Sequence, residues 1–247
     1  MTGVPADLDA ALADFAARRP LLVASDYDGV LARLRDEPSA AVPEPGVAEA
    51  LARLASVPGV TVALVSGRGV EDLQATSGLS GLFRWVGSHG EEFDGPLTGE
   101  LAHRRDELAA ALAPAVDGVP DARLEIKPAS VAVHVRQVQD RDVAAAVLQR
   151  ARTLVDSSLT LKPGKDVLEM AMTDADKGTA LRQLRDELGT DGALYLGDDV
   201  TDEDGFRALG PGDVPVKIGD GPTGARYRVA DSPGALPVIR RLGDLLG

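Results

Sequence analysis

Short apolar runs recur along the chain, and each empties into a polar loop that contains glycine. Leu21 to Ala24 leads into Ser25-Asp26-Tyr27-Asp28-Gly29, Val60 to Val65 into Ser66-Gly67-Arg68-Gly69, Phe83 to Val86 into Gly87-Ser88-His89-Gly90, and Ala193 to Leu196 into Gly197-Asp198-Asp199. Apolar runs of this length, without alternation, predict strands buried on both faces, the habit of a parallel sheet flanked by helices. Val214 to Ile218 reads as the last of them. Helices are expected between the strands, from Pro45 to Ser56, Val70 to Thr76, Asp176 to Leu188 and Gly234 to Leu246.

In the middle of the chain the period changes. Arg123, Glu125 and Lys127 fall on one side of a strand and Leu124 and Ile126 on the other, and Val131, Val133 and Val135 then alternate with Ala132, His134 and Arg136. A period of two with one polar face predicts a half-exposed antiparallel sheet. Helices are expected over His103 to Pro114 and Asp140 to Val155, and strands over Ser158 to Lys162 and Asp166 to Met172, around Pro163-Gly164. Residues 103–172 therefore read as an α+β unit inserted into an α/β core made of residues 1–102 and 173–247.

The absence of cysteine excludes disulfides, thiolate metal sites and a cysteine nucleophile. His89, His103 and His134 are too scattered for an imidazole cage, so any metal is expected to be oxygen-bound. With 39 acidic against 26 basic residues the net charge is -13, a field that repels nucleic acid. No apolar run approaches the ~20 residues that cross a bilayer, and the N-terminal MTGVPADLDAALADFAARRP reads as a surface helix rather than a signal peptide. The expectation is a cytoplasmic monomer that acts on a small molecule, with neither nucleic acid nor membrane as partner.

Candidate chemistry sits where the apolar runs end. Asp26 and Asp28, two apart in extended chain, share a face, and their carboxylates repel unless a cation, a shared proton or a polar loop offsets them. Asp-Gly is equally an ordinary turn pair. Ser66 could cap the helix that follows, Lys177 could be a solvated surface lysine, and Asp199, Glu203 and Asp204 could form a favourable acidic first turn. In an open α/β sheet, however, the strand C-terminal ends face a common crevice. Asp26, Asp28, Ser66, Lys177 and Asp198 all fall at strand ends or helix starts, and together they offer carboxylates for a hard cation such as Mg2+, with a hydroxyl and an ammonium to hold phosphoryl oxygens.

Taken in order, DYDGV at 26–30, Ser66, Lys177 and GDDVTD at 197–202 resemble the four motifs of the haloacid dehalogenase (HAD) superfamily of phosphohydrolases. More narrowly, VSGR at 65–68, GSHG at 87–90, DKGTAL at 176–181 and GDDVTDED at 197–204 look like trehalose-6-phosphate phosphatases. The resemblance covers the whole chain. It implies a Rossmann-like HAD core with a parallel sheet, and an inserted α+β cap domain of the C2 type that closes over the site and confers sugar specificity. It also implies Mg2+-dependent hydrolysis of trehalose 6-phosphate to trehalose and phosphate through an aspartyl phosphate.

Residue by residue, the resemblance makes Asp26 the nucleophile and Asp28 the general acid and then base. Ser66 and Lys177 would bind phosphoryl oxygens, and the Mg2+ set would be Asp26, Asp28 through its main-chain carbonyl, Asp198 and Asp202. Asp202, with Asp199 as second candidate, would orient metal-bound water or Lys177. Arg68, His89, Glu125, Lys127, Arg136, Lys165 and Glu169 would bind substrate, the last five by facing the disaccharide hydroxyls. An ion-paired outer sheet face is the plainer reading of those five, and a structural role stays open for His89 and His134. Val30 departs from the superfamily motif, which usually carries threonine there, and a loop hydrogen bond goes with it. A phosphatase of another glycosyl phosphate, such as sucrose phosphate or mannosyl-phosphoglycerate, fits the same core motifs. A phospho-aspartate signalling module shares the residue types but lacks the inserted unit.

Overall fold

The apolar runs become the middle of a seven-stranded sheet in a computed structural model that describes residues 3–35 and 37–247. In chain order the elements are α1 (Ala6–Ala16), β1 (Leu21–Ser25), α2 (Val47–Ala55), β2 (Val60–Val65), α3 (Val70–Ser77), β3 (Phe83–Gly87), β4 (Glu92–Phe93), α4 (Gly99–Val116), β5 (Arg123–Lys127) and β6 (Ser130–His134). There follow α5 (Arg141–Thr153), β7 (Thr160–Gly164), β8 (Val167–Ala171), α6 (Lys177–Leu188), β9 (Gly192–Gly197), α7 (Asp202–Ala208), β10 (Val214–Ile218), β11 (Tyr227–Val229) and α8 (Ser232–Leu246). The chain forms two units, one running up to Gly95 and resuming from Ala175 to Gly247, the other Pro96–Asp174.

In the first unit the strand order is β11-β10-β9-β1-β2-β3-β4, parallel except for β4, which pairs antiparallel with β3. Strand β1 is buried along its whole length. Leu21 and Val23 enter one apolar layer with Leu12 of α1, Leu51 of α2 and Ile239 of α8, while Leu22 and Ala24 enter the other with Leu181 of α6 and Phe206 of α7. Both faces are covered, which is why the strand shows no polar period. The order of strands reverses at β1, with β2 and β3 on one side and β9, β10 and β11 on the other. Loops leaving β1, β2 and β9 are thereby neighbours at the switch point where open sheets bind ligands, although Asp26, Ser66 and Asp198 are remote in sequence.

Val30, where the motif departs, is fully buried in the first apolar layer, and its carbonyl accepts from Ser232 Oγ at 2.9 Å. A branched apolar side chain suits that place.

The second unit is an antiparallel sheet of order β5-β6-β8-β7. Leu112 of α4 and Val147 of α5 pack on Val131, Val133, Leu168 and Met170 from one face. The other face carries the cross-strand rows Glu125, Ala132, Glu169, Lys162 and Arg123, His134, Val167, Gly164.

Several boundaries differ from those expected. Helix α4 starts at Gly99, before His103, and runs through Pro114 to Val116. Pro163 and Gly164 lie inside β7 rather than in a turn. That strand is an edge, where a missing N–H is tolerated, and the reversal is made by Lys165 and Asp166, the latter at φ 62. Ile126, expected on the apolar face, is 57% exposed because β5 is the opposite edge. Strands β4 and β11, of two and three residues, are too short to show a period. Among the described residues no helix is long and apolar enough to cross a membrane.

Buried Asp213 ties the start of β9 to the rest of the sheet. Its Oδ1 accepts from the Ala193 N–H at 2.9 Å, and its Oδ2 from the Gly210 N–H at 2.8 Å and from Arg185 at 2.6 Å. Asp213→Ala is expected to cost about 2–4 kcal/mol, because these donors lose their acceptor. The measurement is chemical denaturation, with the midpoint lowered and the m value unchanged.

Candidate active site

The chain leaves β1 with its side chains still alternating, so Tyr27 turns into the core while Asp26 and Asp28 turn away from it. Tyr27 is fully buried, and its hydroxyl donates to the Ala41 carbonyl at 2.5 Å. Asp26, 5% exposed, is fixed by its own N–H donating to the Leu196 carbonyl at 2.9 Å and by the Tyr27 N–H donating to its Oδ1 at 2.7 Å. Its Oδ2 lies 2.9 Å from Lys177 Nζ. Asp28 meets a different cation. Arg68 Nε and Nη2 donate to its two oxygens at 2.6 and 2.8 Å. Each carboxylate of the pair thus has its own cationic side chain as partner.

Lys177 opens α6, behind an Asp176 N-cap whose side chain accepts from the Thr179 N–H in a capping box. Its side chain is buried, and Nζ bridges Asp26 and, at 2.7 Å, Asp202 Oδ1. A solvated surface lysine is therefore not what the fold makes of it. Asp202, fully buried, accepts four hydrogen bonds, from Lys177 and the Tyr195 hydroxyl on Oδ1 and from the Asp198 and Asp199 N–H groups on Oδ2. It binds the β9 loop to Lys177. Asp199 organises the turn, its Oδ1 accepting from Thr201 N, Thr201 Oγ1 and Asp202 N.

Ser66 is 1% exposed; its N–H donates to the Val86 carbonyl at 2.9 Å and its Oγ accepts from the Arg68 N–H at 3.1 Å. It does not cap α3. Gly69 is the N-cap, and the Val70 N–H donates to Glu92 Oε2 at 2.9 Å. The His89 N–H donates to the Ser66 carbonyl at 2.9 Å, and its ring lies against Gly67, where a Cβ would come within 2.6 Å of it. Asp26, Asp28, Ser66, Arg68, Lys177 and Asp198 line one cavity of about 580 Å³, which His89 also borders.

Carboxylate oxygens of Asp26, Asp198 and Asp202 lie within 4.8 Å of one another. The Asp28 carboxylate is not in that cluster. Burial raises Asp26 to about 8, against the pull of Lys177 and with a push from Asp202. Burial, Asp202 and Asp199 raise Asp198 to about 6. Burial opposes the charge on Lys177, but Asp26 and Asp202 outweigh it and hold the ammonium protonated. One ammonium does not satisfy these acids. An all-oxygen donor set with surplus negative charge fits a hard divalent cation.

Tyr195 and Lys217 escaped the sequence reading. Tyr195 is fully buried and donates to Asp202; Lys217, 4% exposed, donates to the Asp198 carbonyl. A tyrosine and a lysine inside otherwise apolar strands were the available signal, since a buried hydroxyl or ammonium must find a partner.

In the second unit, Lys127 pairs with Glu169 at 2.7 Å, Ser130 Oγ donates to Glu169 at 2.8 Å, and His134 Nε2 lies 2.6 Å from Glu125. Burial opposes ionisation of Glu169, yet Lys127 and Ser130 hold it below the usual carboxylate range. Arg136 and Lys165, with Arg123 and His134, border a cavity of about 430 Å³.

Gly29 sits at φ +79, and a Cβ there would lie 2.0 Å from Asp198 Oδ2. Gly29→Ala is expected to cost about 1–2 kcal/mol in backbone strain and to push the Asp198 carboxylate out of the cluster. A thermal melt reads the first and a crystal structure of the variant the second.

Residues 24–233 match the family model described as trehalose-phosphatase. Over 240 residues the chain is 35% identical to a trehalose-phosphate phosphatase of Mycobacterium marinum, covering 85% of this chain and 60% of that protein. Over 247 residues it is 33% identical to a bifunctional trehalose-6-phosphate synthase/phosphatase of Thermoproteus tenax, covering 95% of this chain and 33% of that one. The chain thus spans about three fifths of the length of its mycobacterial relative. The structure of Aspergillus fumigatus trehalose-6-phosphate phosphatase superposes with a TM-score of 0.75 at 24% identity, covering 99% of both chains, and shares the fold. The match to the family model, extending over most of the sequence and including Asp26, Asp28, Ser66, Lys177 and Asp198, shows that this chain belongs to the trehalose-phosphatase family.

Proposed function

We propose that this chain is a Mg2+-dependent phosphatase that hydrolyses trehalose 6-phosphate to trehalose and phosphate through an aspartyl phosphate on Asp26. The observation that carries the reading is the buried Asp26 carboxylate, fixed 2.9 Å from Lys177 in one cavity with Ser66 and Asp28, in a member of this family. A carboxylate oxygen of Asp26 forms a bond to phosphorus as the bond from phosphorus to the sugar oxygen breaks. The Asp28 carboxyl gives its proton to that departing oxygen. Water then attacks the aspartyl phosphate, Asp28 takes a proton from the water, and the Asp26 carboxylate is regenerated. Ser66 and Lys177 hold the non-bridging phosphoryl oxygens throughout.

Asp26 and Asp198 are the residues that would hold Mg2+, with the Asp28 carbonyl. Asp202, whose oxygens already accept four hydrogen bonds, supports the set from behind. When bound, the ion neutralises charge on the acids and on the phosphoryl group, so that an anionic side chain can approach an anionic ester. Glu125, Lys127, Arg136, Lys165 and Glu169 are assigned to the sugar, on the ground that charged groups make the stronger hydrogen bonds to hydroxyls and discriminate against substrates that lack them.

Phosphate release from a panel of sugar phosphates, with and without Mg2+, tests the reading. Trehalose 6-phosphate is expected to be preferred over sucrose phosphate and mannosyl-phosphoglycerate, and Asp26→Asn to lose roughly a thousandfold or more in kcat. A clear preference for another sugar ends the trehalose assignment.

Protons compete with the cation at acids raised to about 8 and about 6. Mg2+ affinity is therefore expected to increase from about pH 5 to about pH 8, with protons released on binding, as calorimetry in buffers of different ionisation enthalpy reads. The sign for stability follows: the ion-free folded protein holds these protons more tightly than the unfolded chain, so its stability falls across the same rise in pH.

A further inference from the structure

Resting on the phosphatase reading above, we infer that Arg68 is a positioning residue that aims Asp28 at the leaving oxygen, not a ligand of the substrate. Its guanidinium is already engaged. Besides the two bonds to Asp28, Nη1 donates to Asp72 at 2.9 Å and Nη2 to the Pro38 carbonyl at 2.7 Å. Four of the roughly five N–H donors that an arginine carries are thus spent inside the protein. The side chain is only 10% exposed and stands 6.0 Å from the centroid of the buried Tyr27 ring, while its main-chain N–H is tied to Ser66 Oγ. A planar fork held this way fixes the plane of the carboxyl group it grips.

The carboxyl group needs that constraint. Asp28 is 28% exposed in its side chain and, apart from Arg68, no side chain among the described residues hydrogen-bonds to it. Proton transfer to the sugar oxygen requires a carboxyl oxygen within hydrogen-bond reach as the bond to phosphorus breaks. When Asp28 carries the proton, one oxygen gives up its guanidinium N–H and the other keeps it, so the group stays aimed. After the proton has gone to the sugar oxygen, both bonds re-form and the carboxylate is placed to take a proton from water.

The experiment measures kcat/KM for trehalose 6-phosphate and for a series of aryl phosphates of graded leaving-group basicity. It compares the wild-type enzyme with Arg68→Met, Arg68→Lys, Asp28→Asn and the double variant Arg68→Met/Asp28→Asn. An aryl oxygen that leaves readily needs no proton. Arg68→Met is expected to lower kcat/KM about 100-fold for trehalose 6-phosphate and less than about fivefold for 4-nitrophenyl phosphate, so that dependence on leaving-group basicity steepens as it does in Asp28→Asn. Arg68→Lys keeps the charge without the fork and is expected to fall between; it carries the test if circular dichroism shows Arg68→Met unfolded. The double variant should be no worse than Asp28→Asn alone. An equal loss on all substrates, as for a phosphoryl ligand or a structural residue, overturns the inference. A loss confined to trehalose 6-phosphate with an unchanged aryl series, as for a sugar ligand, overturns it too. If Asp28→Asn itself leaves the aryl series unchanged, the acid role assigned to Asp28 fails, which separates failure of the mechanism from failure of the inference about Arg68.

Discussion

The Lys177 ammonium is the charge on which the candidate site is assembled. It comes from the first residue of α6 and reaches Asp26 after β1 and Asp202 at the start of α7, so one buried cation joins three segments. Burying such a cluster is costly unless its polar atoms are satisfied. Asp202 meets that condition with its four hydrogen bonds, one of them from Tyr195. Glycine makes the close packing of α7 on α6 and on β9 possible: a Cβ on Gly178 would lie 2.4 Å from the Asp204 carbonyl, and one on Gly205 2.5 Å from the Tyr195 ring. The glycine beside Lys177 is thus a packing requirement of the same contact that fixes the lysine.

The balance of charge at the site explains why its motifs are so acidic. Asp26, Asp28, Asp198, Asp199 and Asp202 face Lys177, Arg68 and Lys217, and each of these cations is already held by protein oxygens. The protein as a whole carries -13. A phosphate ester, the proposed substrate, would meet repulsion near and far in this field, and a divalent ion among the acids would reverse the local sign while leaving the distant field as it is. Burial, with the neighbouring acids, raises Asp26 and Asp198, so that protons are retained there.

How much of this was legible in the sequence depended on the range of the signal. Strands β2 and β10 begin and end where the apolar runs do, because burial on both faces leaves nothing else to decide their limits. The rule that ligands gather at strand C-terminal ends was enough to bring Asp26, Ser66 and Asp198 into one group before any strand order was known. Pairings were not legible. Nothing local says that Glu92 serves the N-terminus of α3, that Arg68 grips Asp28, or that Lys217 reaches the Asp198 carbonyl, since each bond joins segments that only the sheet order makes adjacent. The misplaced turn at Pro163-Gly164 has the same origin: proline looks like a breaker until the strand is known to be an edge.

The two units hold their charges in different ways, and the difference suits the different tasks proposed for them. Lys177 with Asp26 and Asp202 is almost wholly buried, so removing any member leaves buried polar groups without a partner. On the polar sheet face of the second unit, Lys127 and Glu169 are 38% and 24% exposed in their side chains, and His134 and Glu125 are 25% and 44% exposed. Exposed pairs contribute only about 0–1 kcal/mol, so their members can exchange each other for another hydrogen-bonding partner at little cost. The phosphoryl chemistry proposed for the first unit would thus rest on groups that cannot rearrange. The sugar recognition proposed for the second would rest on groups that can.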